Sequence, residues 1–233
     1  MITTKAVVTV DKKISENLIS LQLDIEKYKE WVPGMFLQLS LLEKSASEPW
    51  LDSRAFSFAS WGSKLIRVLV RIEGSFTSKL ASLAEMGLKT SIRYPFGDFL
   101  LNSNNDKVFL AGGAGISVFL GYLDFLNKTK ESSGDLLIIH SSKQQCEQIN
   151  NIYGSRIPSN VSVIQAITNP KSVGYTGRFD IGKLRKTISN MKNREFYICG
   201  PQEFSQYWVK ELSGMGLSFK VERWIQAIKE VGK

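Results

Sequence analysis

Phe109-Leu110-Ala111-Gly112-Gly113-Ala114-Gly115-Ile116 is the stretch on which the reading of the chain turns. An apolar run of strand length passes into three glycines and then into a residue that opens a helical pattern. Glycines let a backbone approach a bound phosphate, and the free N–H groups of a helix start attract its charge. The spacing departs from G-x-G-x-x-G: Gly113 and Gly115 take its first two positions, and Val118 stands where the third glycine belongs. Taken alone, the stretch is compatible with a dinucleotide site or with a structural tight turn.

Toward the C-terminus, short apolar runs at residues 108–111, 136–140, 161–164, 196–199 and 217–221 alternate with helical patterns such as 203–215. Buried runs alternating with amphipathic helices predict a five-stranded parallel sheet covered on both faces. In such a sheet a ligand lies beyond the carboxyl ends of the strands, so the residues that follow each strand carry the chemistry. After the second run comes His140-Ser141-Ser142-Lys143, with no carboxylate to meet an adenosine ribose. The hydroxyl of Ser142 and the ammonium of Lys143 suit a 2′-phosphate instead, which favours NADPH over NADH. His140 itself reads as a strand-end residue. After the fourth run comes Cys199-Gly200-Pro201, then a helix whose first turn Pro201 suits because it lacks only an N–H that has no helical partner there. Cys199 would stand at a strand's carboxyl end, beside a nicotinamide ring or simply buried. No histidine base matches it, which argues against a thiolate nucleophile.

Toward the N-terminus, residues 5–10, 18–23, 36–41, 54–58, 65–71 and 89–93 carry alternating or β-rich apolar patterns. One helix interrupts them over 75–86, with Phe76, Leu80, Leu83 and Ala84 at helical spacing and Gly87 as its stop. Six strands and one helix predict a small antiparallel β-barrel, because closure removes exposed sheet edges. The polar segment Asn102-Ser103-Asn104-Asn105-Asp106 separates the halves, predicting domains over 1–102 and 107–233. Two barrel segments suit a second anionic ligand. Arg54-Ala55-Phe56-Ser57 offers a guanidinium, an aromatic face and a hydroxyl on or beside one strand. Gly74-Ser75-Phe76-Thr77-Ser78 opens the helix with N–H groups and hydroxyls. A solvated arginine and an ordinary helix cap are the structural alternatives.

Composition narrows the classes. Of 233 residues, 43% are hydrophobic and 22% charged, and no apolar run approaches the ~20 residues of a membrane helix. The opening Met1-Ile2-Thr3-Thr4-Lys5-Ala6-Val7 lacks the pattern of a secretory signal, which predicts a cytoplasmic location. Two cysteines and one histidine are too few for a disulfide framework or an iron–sulfur cluster, and no metal site is predicted. The net charge of +8 favours anionic ligands or an acidic partner, without the basic blocks that would indicate nucleic acid.

In order, Arg54 to Ser57, Gly74 to Thr77, Tyr94-Pro95-Phe96-Gly97, Gly112 to Gly115 and Cys199 to Pro201 follow the Arg-x-Tyr-Ser, Gly-x-x-Ser/Thr, Gly-Pro-x-Gly, Gly-Gly-x-Gly and Cys-Gly-Pro pattern of the ferredoxin–NADP reductase superfamily. The chain resembles that superfamily over nearly its whole length, as a stand-alone NAD(P)H:flavin or ferredoxin reductase-like module without an iron–sulfur domain. The resemblance implies a flavoprotein oxidoreductase that takes a hydride from NADPH or NADH onto bound FAD or FMN and passes electrons onward. A flavin-carrying subunit of a larger complex, with no acceptor activity of its own, is the alternative. The acceptor stays open between a protein and a small molecule, and the +8 charge leans toward an acidic protein such as ferredoxin or flavodoxin. The resemblance further implies that Arg54, Ala55, Phe56 and Ser57 contact the flavin, with Gly74, Ser75, Phe76, Thr77 and Ser78 at its phosphate. Gly112, Gly113, Gly115 and Ile116 would hold the NAD(P)H pyrophosphate, and Cys199, Gly200 and Pro201 the nicotinamide. Glu222 and Trp224 resemble the family's late acidic–aromatic pair near the flavin, so Ser57, Cys199 and Glu222 are the catalytic candidates. Phe56 replaces the usual tyrosine, Tyr94 a glycine and Val118 a common proline. Residues 225–230 continue past Trp224 with helical spacing.

Overall fold

The computed structural model describes residues 1–101, 104–131 and 133–222. Trp224 and the helical spacing at 225–230 lie outside the described residues. Two compact units divide the chain, one holding residues 1–101 with Ser117–Phe125, the other residues 104–116 with Leu126–Glu222.

The first unit is an antiparallel six-stranded sheet. Its strands are β1 (Ile2–Ser15), β2 (Leu18–Ile25), β3 (Phe36–Leu39), β4 (Arg54–Ser57), β5 (Leu65–Arg71) and β6 (Leu88–Phe96). They are ordered β4-β3-β6-β1-β2-β5, and the two end strands contact one another, so the sheet is a nearly closed barrel. Inward positions such as Val8, Leu21, Leu37, Ile66, Val68 and Ile92 are buried together, and alternation is clearest where Val7, Thr9 and Leu65 beside them are exposed. Helix α1 (Ser75–Glu85) adds Leu80 and Ala84 to that core. β1 is longer than the 5–10 run predicts, because irregularities between Val10 and Lys12 and between Lys13 and Ser15 let it continue alongside β2 with its lysines outward.

An aromatic group sits within the barrel core. Trp31 stacks on Phe58 at 4.4 Å, and Tyr94 meets both rings edge-on at 5.9 Å. Tyr94 is fully buried; its hydroxyl donates to the Lys27 carbonyl and accepts the Lys29 N–H, both at 2.9 Å. Burial pushes the phenol above its ordinary pKa.

The second unit is a five-stranded parallel sheet of β7 (Lys107–Gly112), β8 (Leu136–Ser142), β9 (Val161–Ile167), β10 (Glu195–Cys199) and β11 (Phe219–Val221), ordered β11-β10-β7-β8-β9. Helices α2 (Ile116–Thr129), α3 (Ile149–Ile152), α4 (Ile181–Thr187) and α5 (Gln202–Gly214) connect it. Val108, Leu110, Ile139, Phe196 and Ile198 share one buried cluster with Leu184 of α4 and Trp208 and Leu212 of α5. The strand order reverses between β7 and β10, a topological switch point where the chain leaves β7 one way for β8 and returns on the other side as β10. The polar segment before β7 is tied in: the Asp106 carbonyl accepts the Glu195 N–H and the Asp106 carboxylate accepts the Asp135 N–H. No helix among the described residues is long and apolar enough to cross a membrane.

Tyr94 fills a position where the family resemblance expects a glycine, so its contribution is measurable. Tyr94→Phe keeps the ring packing but leaves the Lys29 N–H and Lys27 carbonyl without it, and is expected to lower unfolding stability by about 1–3 kcal/mol. Urea unfolding followed by tryptophan fluorescence, with the slope unchanged from the parent, checks this.

Candidate functional site

The switch point brings together two motifs that are far apart in the chain. Ala111 at the end of β7 is in register with Cys199 at the end of β10, so both turns leave the sheet side by side. A Cβ on Gly112 would lie 2.9–3.0 Å from the Phe204 ring and Pro201 Cδ. One on Gly115 would overlap the Cys199 carbonyl and come within 2.8 Å of the Gly200 nitrogen. One on Gly200 would meet the Gly112 backbone at 3.0 Å. Gly115 and Gly200 therefore admit only glycine, since main-chain neighbours cannot turn aside, while Gly112 is crowded by the Phe204 and Pro201 rings. Gly113 has φ 53, a left-handed conformation that favours glycine for a separate reason.

Below the turn, His140 of β8 is buried and its Nε2 lies 3.1 Å from the Gly113 carbonyl. A carbonyl only accepts, so this nitrogen carries the proton and holds the turn. Sequence reasoning placed His140 at a strand end but missed this contact; the signal was a histidine in register beside the strand that ends in the glycines. Phe204, whose ring packs on Gly112 and Gly200, was missed as well.

Helix α2 starts directly after the turn with Gly115 as cap, no capping side chain and no acidic residue in its first turn. Helix α1 starts the same way from Gly74. By contrast, Asp180 caps α4 with a hydrogen bond to the Lys183 N–H, and α5 carries Glu203 in its first turn. Both predicted anion sites are thus helix starts capped by glycine, with neither an acidic side chain in the first turn nor a side-chain cap; the four-residue α3 also lacks both but starts from Gln148.

At the α1 start, the fold brings Arg54 of β4 over the Phe76 ring, with the guanidinium 5.0 Å from the ring centroid. Arg54 is exposed and also donates to the Ser53 carbonyl at 2.8 Å. Ser75 and Ser78 are exposed beside it. Thr77 is engaged locally: its hydroxyl accepts the Glu73 N–H at 2.7 Å and donates to the Glu73 carbonyl at 2.9 Å. Phe56 shares the Arg54 face of β4 and packs against the barrel core, while Ala55 and Ser57 alternate to the other face.

In the second unit, Cys199 is buried, and Glu222 is close enough to act on it. Burial first, and the Glu222 charge second, push the thiol pKa far above its ordinary range. Cys199 is therefore a neutral S–H donor, not a thiolate. The Glu222 N–H donates to the Ile198 carbonyl at 3.0 Å, extending the β10–β11 pairing to the acidic residue. Pro201 stands one residue earlier than expected, as the cap of α5, with an extended ψ of 155°. Ser142 is buried and its hydroxyl donates to the Gln144 carbonyl at 3.0 Å. Lys143 is exposed. Cys146 is exposed as well, and its thiol is free. In the folded chain at neutral pH, a thiol reagent is expected to modify Cys146 and spare Cys199, with both reacting once denaturant is added; peptide mapping after timed labelling checks this.

No protein-family profile matches the chain. In sequence it is 27% identical, over 95% of its own length and 67% of the relative's, to the anthranilate 1,2-dioxygenase electron transfer component of Acinetobacter baylyi. The chain spans about half the length of the flavohemoproteins it also matches. Among solved structures, the flavohem-like FAD/NAD-binding domain of nitric oxide dioxygenase from Vibrio cholerae superposes with a TM-score of 0.77, covering 94% of this chain and 98% of that one at 18% identity. A ferredoxin–NADP+ reductase from Neisseria gonorrhoeae gives 0.73, with the same coverages and identity. With the antiparallel barrel and the switch-point sheet both in place, the chain has the fold of these two proteins, that of a ferredoxin–NADP+ reductase and of a flavohem-like FAD/NAD-binding domain.

Proposed function

We propose that the protein is an NAD(P)H-dependent flavoprotein reductase that binds FAD, or FMN in its place, and hands electrons to a protein acceptor. The observation that carries this is the pair of glycine-capped helix starts, one in each unit, each free of acidic side chains in its first turn. One anion site suits many enzymes; two, at α1 with Arg54 and at α2 with the glycine turn, suit two nucleotides. The electron transfer component and the FAD/NAD-binding domain named above support the same reading.

A flavin held at Arg54 and the α1 start would supply the redox chemistry, that of a hydride acceptor able to pass electrons onward. The chain's own residues bind and orient. Arg54 and the α1 start neutralise flavin phosphate; Phe56 gives an apolar face and Ser57 a hydroxyl for the flavin ring. The α2 start and the Gly112–Gly115 backbone take the dinucleotide pyrophosphate. Cys199, held neutral, offers a compact S–H at the end of β10, and Glu222 places a carboxylate beside it. No proton leaves carbon by base catalysis in a hydride transfer, which agrees with a site that keeps its thiol protonated. Exposed Lys143 suits the 2′-phosphate of NADPH, an assignment that rests on it alone because the Ser142 hydroxyl is spent on Gln144. The +8 charge suits an acidic acceptor, with ferredoxin or flavodoxin as candidate classes.

The purified protein, after incubation with FAD, is expected to show a flavin absorption spectrum that NADH or NADPH bleaches under anaerobic conditions. Arg54→Ala is expected to weaken flavin-nucleotide binding about ten- to a hundredfold, the loss of a charge-assisted contact, and to leave riboflavin binding nearly unchanged. A chain that neither binds flavin nor oxidises NAD(P)H overturns the reading.

A further inference from the structure

Helix α2 carries Ser117, Gly121 and Asp124 on one face, at the i, i+4 and i+7 spacing that lines residues up along a helix. All three meet the main chain that leaves β4, within the barrel unit. The Ser117 hydroxyl donates to the Ser57 carbonyl at 3.1 Å. Gly121 is backed against the Phe58 carbonyl so closely that a Cβ would overlap it. The Asp124 carboxylate accepts the Trp61 N–H at 2.8 Å. Trp61 is held twice more: its ring lies edge-on to Phe125 at 4.9 Å, and its indole N–H donates to the Trp31 carbonyl at 2.9 Å.

This segment needs outside support. β4 has four residues, ends the sheet order and pairs within the sheet with β3 alone. A short end strand has one ladder to set its register; beyond it the barrel holds the Phe58 N–H at the Met35 carbonyl and the Ala59 N–H at the Arg67 carbonyl, and the Ser57 and Phe58 carbonyls and the Trp61 N–H face α2. α2 supplies a donor at Ser57, a flat surface at Phe58 and an acceptor at Trp61, in chain order. These are three different chemistries matched to three consecutive needs of one stretch of backbone.

We infer that Ser117, Gly121 and Asp124 form a clamp on the 57–61 main chain, and that Ser117 is a positioning residue that sets Ser57 for flavin reduction. The inference rests on the flavin reading above and deepens it, because Ser57 and Phe56 are the residues assigned to the flavin ring. A bond made only for packing would change stability and leave the reduction rate alone. A positioning bond changes the rate at which the bound flavin takes up hydride.

The test uses the full chain and three variants, Ser117→Ala, Ser117→Thr and Asp124→Ala. Without any ligand, amide hydrogen exchange over 57–61 is expected to speed up in both alanine variants and to return to the parent rate in Ser117→Thr, which restores the hydroxyl. With FAD bound, single-turnover reduction by NAD(P)H is expected to slow about five- to tenfold in Ser117→Ala, with the NAD(P)H dissociation constant within about twofold of the parent and the rate recovered by threonine. Asp124→Ala, which releases the other end of the clamp, is expected to slow reduction in the same sense and serves if Ser117→Ala folds poorly. Unchanged exchange overturns the clamp. Faster exchange or a lowered melting temperature with an unchanged reduction rate overturns the positioning role and leaves a packing bond. A parent chain that takes up no flavin overturns the flavin reading and the positioning role with it, while the exchange arm still reports on the clamp by itself.

Discussion

Backbone contact between two turns at the switch point is the constraint on which the second unit depends. Gly115 lies against the Cys199 carbonyl and Gly200 against Gly112, and a methyl on Gly115 or Gly200 would force main chain apart. Because the contact is between main chains, the turns are held at a spacing that side chains do not set. A tight turn and an uncapped helix start are then two consequences of one arrangement. The glycines admit the close packing, and the packing leaves the start of α2 with no side chain across its N–H groups.

Electrostatics around the two helix starts are arranged by omission as much as by placement. The first turns of α1 and α2 hold no acidic residue, whereas α4 has its aspartate cap and α5 its glutamate. Arg54 adds a permanent cation at α1, positioned over an aromatic ring that steadies its guanidinium without neutralising it. At the end of β10, burial keeps Cys199 uncharged, and the neighbouring Glu222 makes ionisation harder still. Each unit thus carries its own acid-free helix start, α1 with Arg54 in one and α2 beside the uncharged Cys199 thiol in the other.

Much of the architecture was legible in the amino-acid order because burial repeats with strand or helix period. Alternation along residues 18–23 and 65–71 and the continuous apolar runs at 108–111 and 196–199 reappear as barrel strands and parallel strands. Other features depend on contacts that no local pattern encodes. β1 runs on through Lys12 and Lys13 because β2 pairs with it there, Lys12 opposite Ser20 and Lys13 opposite Ile19. The hydroxyls of Thr77 and Ser142 were legible as phosphate ligands by residue type, yet each is engaged by nearby backbone. His140 looked like a strand end and serves as the donor that holds Gly113.

What the sequence by itself determined is the order of the parts: a barrel with Arg54 to Ser57 and a glycine-capped helix, then a glycine turn, then Cys199-Gly200-Pro201. Side-chain size and hydrogen-bonding capacity are properties of each residue, so motifs built from them survive in one dimension. Tertiary structure alone decided which distant backbones touch. It set Gly115 against Cys199, brought Glu222 beside that thiol, and laid Ser117, Gly121 and Asp124 along the chain that follows Ser57. Those are through-space relations between main-chain atoms, and their physical determinants are the register of strands and the face a helix turns inward, which exist only once the chain has folded.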